Sequence, residues 1–336
     1  MRRKIWIPEA PMLNMRHYKE ICGVSNMVGV AGYFTVDLIH AASGLVARHL
    51  EFKNLIPDAG LEAAGTTKIP GTLNQYCAVG TGSTAPAVDQ TQLVAELART
   101  NSTGSVLDVN SQDIAALGYC FVRVSRNFTT AQANGNLTEI GFFNAATDGT
   151  MLCRQLFLDE EGVPTTITKT SEFQLRITYE FRVYPSIADL VYSATINGSA
   201  MNITRRPGAG WDLRNATSSG QPVSGGFGAS VASWEGGTAY SGTLGAVGSK
   251  PGGSLGNRTS TTEAAYVPLS FQREATHEWD STAGNGLIKT IILAGRAEGL
   301  ASGNWTYQHQ LTTALNKSNT QKLVVQYTRS WSRYTP

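Results

Sequence analysis

The sequence predicts a mainly β protein: two related antiparallel β-sandwich (jelly-roll-like) modules, an extended N-terminal arm and one or two short helices. Three observations carry this expectation. Phe173, Leu175, Ile177, Tyr179, Phe181 and Val183 alternate with Gln174, Arg176, Thr178, Glu180 and Arg182, a strict period of two that fits a strand with one buried face and fails the helical template. Shorter apolar runs recur between Gly, Ser and Asn turn residues along much of the chain. A block near the end of the first half also returns near the end of the second.

Composition agrees. The 336 residues suffice for two domains, and 41% are hydrophobic, within the globular range. Only 15% are charged, against roughly 25% in an average soluble domain. The surface therefore rests on Thr, Ser, Asn, Gln and 35 glycines. That suits turn-rich β-structure and large protein–protein contacts, whose centres are depleted in charge. The net charge of +2 is spread without a basic block, so no nucleic-acid partner is expected. No apolar run approaches the ~20 residues of a membrane span, so no membrane insertion is expected either. Cys22, Cys77, Cys120 and Cys153 are far apart and form no CxxC, which reads as reduced, mostly buried thiols folded in a cytoplasm.

In chain order, residues 1–28 read as an extended docking arm, broken by Pro8 and Pro11 and offering Trp6, Met12 and Met15 as apolar anchors. A first sandwich is expected over 29–190. It opens with a hairpin of 32–40 and 45–52 around Ser43-Gly44, followed by a short helix over 54–65 and a strand over 75–79. A second helix, capped by Asp89, is expected over 90–99. Strands follow at 116–124, 137–143, 152–158, 165–170 and 173–184. A second sandwich is expected over 191–336, with a Gly/Ser-rich loop inserted at about 205–262 and strands at 266–271, 287–293, 307–312 and 322–331.

The repeat is specific. Asn134-Gly135, Leu137, Ile140 and Phe142 match Asn285-Gly286, Ile288, Ile291 and Leu293, and Phe128 matches Trp279, all displaced by 151 residues. Lys169, Leu175, Ile177 and Tyr179 match Lys317, Leu323, Val325 and Tyr327, displaced by 148. Two blocks agreeing in order and phase point to duplication.

No catalytic constellation emerges, and the chain is expected to be no enzyme and to need no cofactor or metal. Gly80-Thr-Gly82-Ser-Thr-Ala85 matches a dinucleotide fingerprint, but Pro86 follows at once and no βαβ series surrounds it, so it reads as a glycine turn. The five histidines show no HxxxH or HExxH spacing. Asp159-Glu160-Glu161-Gly162 reads as a solvated turn. Trp211, Trp234 and Tyr240, on the Gly/Ser-rich stretch, are candidates for contact with a partner, receptor or sugar, or else for anchoring that stretch to its own module.

Residues 52–61 (Phe52-Lys-Asn-Leu-Ile-Pro-Asp-Ala-Gly-Leu61), Val79–Pro86, Asn134–Gly141, Pro164–Lys169 and Tyr179–Pro185 together resemble a pattern found in tailed-bacteriophage tail-fibre, baseplate and minor virion proteins, over about 28–185. The resemblance implies a structural part of the virion tail, made in the host cytoplasm. Such a part is a homo-oligomer contacting other tail, baseplate or collar proteins. A module binding a host receptor or surface glycan, and a capsid decoration protein, are the alternatives.

Overall fold

The structure, a computed structural model, describes residues 18–66, 76–102, 109–110, 114–208, 237–296 and 304–335. It is mainly β. The chain opens on one long strand, β1 (Tyr18–His40). Its Val30, Phe34, Val36 and Leu38 alternate into a core. Gly44, at φ 69°, turns the chain into β2 (Val46–Asn54), as the Ser-Gly pair predicts. Then come α1 (Asp58–Thr66), β3 (Tyr76–Gly80), β4 (Glu96–Thr100), β5 (Val109–Asn110), α2 (Ile114–Leu117), β6 (Cys120–Phe128), β7 (Gly135–Leu137), β8 (Glu139–Phe143), β9 (Met151–Leu156), β10 (Ile167–Lys169) and β11 (Phe173–Pro185). The second half forms β12 (Leu190–Ile196), β13 (Ser199–Pro207), β14 (Gly237–Tyr240), β15 (Ser254–Asn257), β16 (Ser260–Glu263), β17 (Gln272–Trp279), β18 (Gly286–Arg296), β19 (Asn304–Lys317) and β20 (Lys322–Arg333).

Strand order reveals the duplication. In the first half β4-β3-β8-β9 are neighbours, and mutual backbone bonds between Leu55 and Arg154 lead from β9 to β2. From there the order is β2-β1-β11-β6-β5. In the second half it is β15-β14-β18-β19-β13-β12, then β1, then β20-β17-β16. Each of these nine strands of the first half has its counterpart in the second, in the same order. The separate pair β7 and β10 matches the ends of β18 and β19, where Gly286 and Ile288 pair with Lys317 and Leu315. The main difference is β1. Its residues 28–40 pair with β11 in the first half, whereas residues 18–30 run parallel to β20. There Ile21 and Cys22 also pair with Ile196 and Thr195 of β12. The upstream part of β1 is thus an extra strand wedged into the second half.

Two cores follow. Val28 to Val183 supply most of the first, where Phe142 of β8 lies against Phe34 of β1 and Tyr179 of β11, with ring centroids 6.0 and 5.2 Å away. The second is lined by Ile203, Trp279, Ile291, Leu323 and their neighbours, together with Ile21 and Val24 from β1. The repeated side chains play repeated roles. Phe128 opposes Leu175 and Trp279 opposes Leu323 across equivalent strand pairs. Lys169 donates to Asn134 Oδ1 at 2.9 Å and Lys317 to Asn285 Oδ1 at 2.8 Å.

Several expectations need correction. Of the expected arm, residues 18–28 form strand paired with β12 and β20 of the same chain; Trp6, Met12 and Met15 lie outside the described residues. The segment 90–99 is not helical, because the N–H groups of Val94 and Ala95 go to the Glu139 carboxylate instead of to carbonyls one turn back. Residues 266–271 are not a strand, since Leu269 and Phe271 have φ of 61° and 51°. The stretch at 205–262 is not one loop: 237–240, 254–257 and 260–263 are strands. β14 is packed tightly, so that a Cβ on Gly237 would meet His277 Cδ2 at 2.9 Å, while β15 and β16 lie at the ends of the strand order and are half-exposed, so none of the three shows aliphatic alternation.

Candidate functional site

Register makes two loops equivalent, 81–95 after β3 and 241–253 after β14. Gly80 pairs with Glu139 and Tyr240 with Thr290, while Gly141 pairs with Arg154 and Ile292 with Gln308. Glu139 therefore corresponds to Thr290, Arg154 to Gln308, and Gly82 to Gly242. Hydroxyls of Thr138 and Thr290 donate to the carbonyls of Gly82 and Gly242, each at 2.8 Å.

Each loop is clamped from beneath by buried polar side chains. Glu139 accepts N–H bonds from Gly82 (3.1 Å), Val94 (3.0 Å) and Ala95 (2.7 Å). Arg154 reaches from Glu139 to Thr84 O and Gln90 Oε1, both at 2.8 Å. Burial alone would raise the Glu139 pKa, but the Ala95 and Val94 amides and the Arg154 guanidinium bring its carboxyl below the usual range. In the second loop neutral groups do the same work. Gln308 Oε1 accepts from Gly245 N–H at 2.7 Å, its Nε2 donates to Ala246 O at 3.2 Å, and Gln310 Oε1 accepts from Leu244 N–H at 3.0 Å.

The loops share a turn but not its surroundings. Gln90 N–H bonds Ala87 O, and Ser249 N–H bonds Ala246 O, so Val88 and Val247 hold the same place. Val247 packs against the first core, and a Cβ on neighbouring Gly248 would lie 3.9 Å from Ile114 Cγ1 of α2. Val88 is 43% exposed and Val94 52%. A loop of this length is usually functional, and this one is pre-organised by charge-assisted bonds.

No family model matches the chain, and no curated protein or solved structure is similar to it. Function must therefore be argued from the chain's own surfaces.

A further exposed apolar segment is 264–271, between β16 and β17, the counterpart of the α2 segment between β5 and β6. Glu62 of α1 accepts bonds from the Tyr266 hydroxyl and from Leu269 N–H, and Trp331 N–H bonds Phe271 O. These ties hold two residues at positive φ and leave Val267 65% and Leu269 59% exposed. A groove of ≈ 580 Å³ also lies where β1 passes between the halves, lined by Met27, Leu117, Tyr184, Ile187 and Tyr334.

Of the residues singled out from sequence, Tyr240 ends β14 and is 7% exposed, facing inward as an anchor. Trp211 and Trp234 lie outside the described residues. In the Gly80–Ala85 run, Gly80 ends β3 and 81–85 is irregular loop, with the turn expected there lying later, at 88–89, and Gly82 buried against Glu139. Asp159–Gly162 forms an exposed turn, with Gly162 at φ 77°. Among the described residues, no group of three His, Cys, Asp or Glu side chains could hold a metal ion, and no helix is long and apolar enough to cross a membrane. Sequence reasoning missed Glu139 and Arg154. The available signal was a charged residue inside an apolar run, Leu137–Phe143 for one and Leu152–Phe157 for the other.

Proposed function

We propose that this chain is a non-enzymatic structural component of a tailed-phage virion: a tail appendage, fibre, baseplate or collar protein that assembles with copies of itself and with other virion proteins. The resemblance over 28–185 supplies the class. The observation that carries the reading is β1, which pairs with β11 in one half and with β20 and β12 in the other. Two halves threaded by one strand keep a defined mutual orientation, which suits a repeated building part. The contact of Phe142 with Phe34 and Tyr179 supports reading the first half as a jelly-roll-like sandwich, with two sheets face to face, and the duplicated strand order extends that reading to the second. Cys77, Cys120 and Cys153 are buried and form no disulfide, and burial pushes the Cys153 thiol up to about 12. Unreactive thiols suit folding in a host cytoplasm.

Cryo-electron microscopy of intact particles with an antibody against this chain tests the reading. Label on the tail in small copy number is expected. Label over the whole head would replace it with the decoration alternative, and unlabelled particles would remove the virion assignment.

A further inference from the structure

We propose that the turn around Val88 docks on the 264–271 segment of a second copy of this chain, repeating between molecules a contact already made between the two halves of one. The proposal rests on the assembly reading above and names its surface.

The argument runs through the duplication. Inside one chain, the turn of the second half carries Val247 onto the first core, with Gly248 against Ile114 of α2. The first half owns the same turn, closed by the same i to i+3 bond, with a valine at the same place and an equivalent glycine carbonyl held by a threonine hydroxyl one position away in the register. The Val88 carbonyl accepts from the Asp58 N–H of α1 at 2.7 Å, while the residue stands 43% exposed. The receiving side is duplicated too. The counterpart of the α2 segment, which meets the turn of the second half, is 264–271, where Val267 and Leu269 are the exposed apolar groups.

Both sides are held ready. The first turn sits on the Glu139–Arg154 clamp, which fixes Thr84 and Gln90 on either side of it. The second is held by Glu62 against α1, with Leu269 at a φ of 61°. Ordering these loops in advance lowers the entropy cost of association. Turn and receiver are both tied to α1, Val88 O by the Asp58 N–H and Leu269 N–H by Glu62. Exchanged reciprocally the contact closes a dimer; repeated head-to-tail it builds a ring or a filament.

The test uses the full chain with Cys22→Ser, which removes the one half-buried thiol. Copies carrying Val88→Cys and differently tagged copies carrying Leu269→Cys are mixed, oxidised and resolved by tag. A disulfide-linked mixed dimer is expected, and neither variant alone should form a dimer. Val88→Asp, at an exposed position, should keep the wild-type circular dichroism and weaken self-association at least about tenfold by light scattering. Multimers without an 88–269 cross-link, or with unchanged affinity in Val88→Asp, would overturn this contact while leaving the assembly reading intact. A monomer at every concentration would overturn both.

Discussion

Arg154 donates twice to one carboxylate oxygen of Glu139, through Nε at 3.0 Å and Nη2 at 2.8 Å, and neither side chain reaches solvent. Taking both charges out of water costs several kcal/mol per ion. That cost is offset here because nearly every lone pair and N–H of the two groups finds a partner, three of them backbone amides of loop 81–95. The pair is therefore the floor of the loop. Its counterpart, Thr290 with Gln308, holds an equivalent loop with no charge at all.

Breaking the pair on one side should cost more than replacing it. Glu139→Gln leaves a buried guanidinium uncompensated, and a loss of about 3–5 kcal/mol is expected from denaturant unfolding. Glu139→Thr with Arg154→Gln, which copies the second half, should lose less than Glu139→Gln alone. The pair also sets an acid limit. The folded pKa of Glu139 is depressed, so its contribution is whole above the unfolded value of about 4.3 and fades as pH falls through the folded one.

The strands with steady alternation were legible in the sequence because their signal is local, whereas β12, β13 and β17 were not among those expected. Phe173–Val183 reads as β from its own alternation, and the lysine–asparagine pairs of the repeat were visible as matched positions before their bonds were known. What could not be read depends on distant partners. Nothing within 90–99 announces that Glu139 will take its amides, and nothing in 266–271 announces that Glu62 will take the Leu269 N–H. The wedged strand was missed for the same reason. Residues 18–27 hold a bulge between Ile21 and Val24, with Gly23 at φ 80°, which breaks the alternation that would have marked them.

His309 should make the protein acid-sensitive well above the carboxylate range. It is 1% exposed, between the Tyr192 hydroxyl at Nδ1 and Asn26 Oδ1 at Nε2, each at 2.9 Å. Since Asn26 Oδ1 only accepts, Nε2 carries the proton and Nδ1 accepts from Tyr192. Burial first, and Arg205 second, push its pKa well below the usual value. As pH falls below about 6.5 the unfolded chain binds a proton that the folded one refuses, so stability falls by up to about 1.4 kcal/mol per pH unit. His49, raised first by its bond to Asp37, has the opposite sign: its contribution is present below the unfolded value and lost as pH rises through the folded one. At 53% exposure it is a weak opponent. Denaturant midpoints at pH 7.5 and 5.5 should show the loss, and His309→Gln should flatten the slope. An unchanged slope in that variant would exclude His309 as its source.

Lys317 is a second buried donor whose removal should be felt. Its ammonium bonds Asp280 O at 2.6 Å, Ala283 O at 2.7 Å and Asn285 Oδ1, closing the turn between β17 and β18. Lys317→Met keeps the apolar stem and strands these acceptors, at a cost of roughly 2–4 kcal/mol. Lys169→Met, at the repeated position, should cost less, because its ammonium serves Asn134 without matching carbonyl bonds. Thermal unfolding of the two variants side by side measures the difference.

The wedged strand makes a sharper demand, because β1 belongs to two cores at once. Ile21 is fully buried in the second core, while Phe34 and Val36 of the same strand sit in the first. Ile21→Ala should cost about 2–5 kcal/mol through lost transfer energy and the cavity left behind. Polar ties remain to hold the backbone in place: Arg205 Nη1 donates to Ser25 O at 2.8 Å, and the Tyr307 hydroxyl to Met27 O at 2.6 Å. The strand should therefore stay wedged but loosen between β12 and β20. In hydrogen exchange, amides of β12 and β20 should open faster in Ile21→Ala while those of β6 and the pairing of β1 with β11 keep their wild-type rates. Equal acceleration in both halves would mean that β1 transmits unfolding across the junction, so that the two cores melt as one unit despite their separate linings.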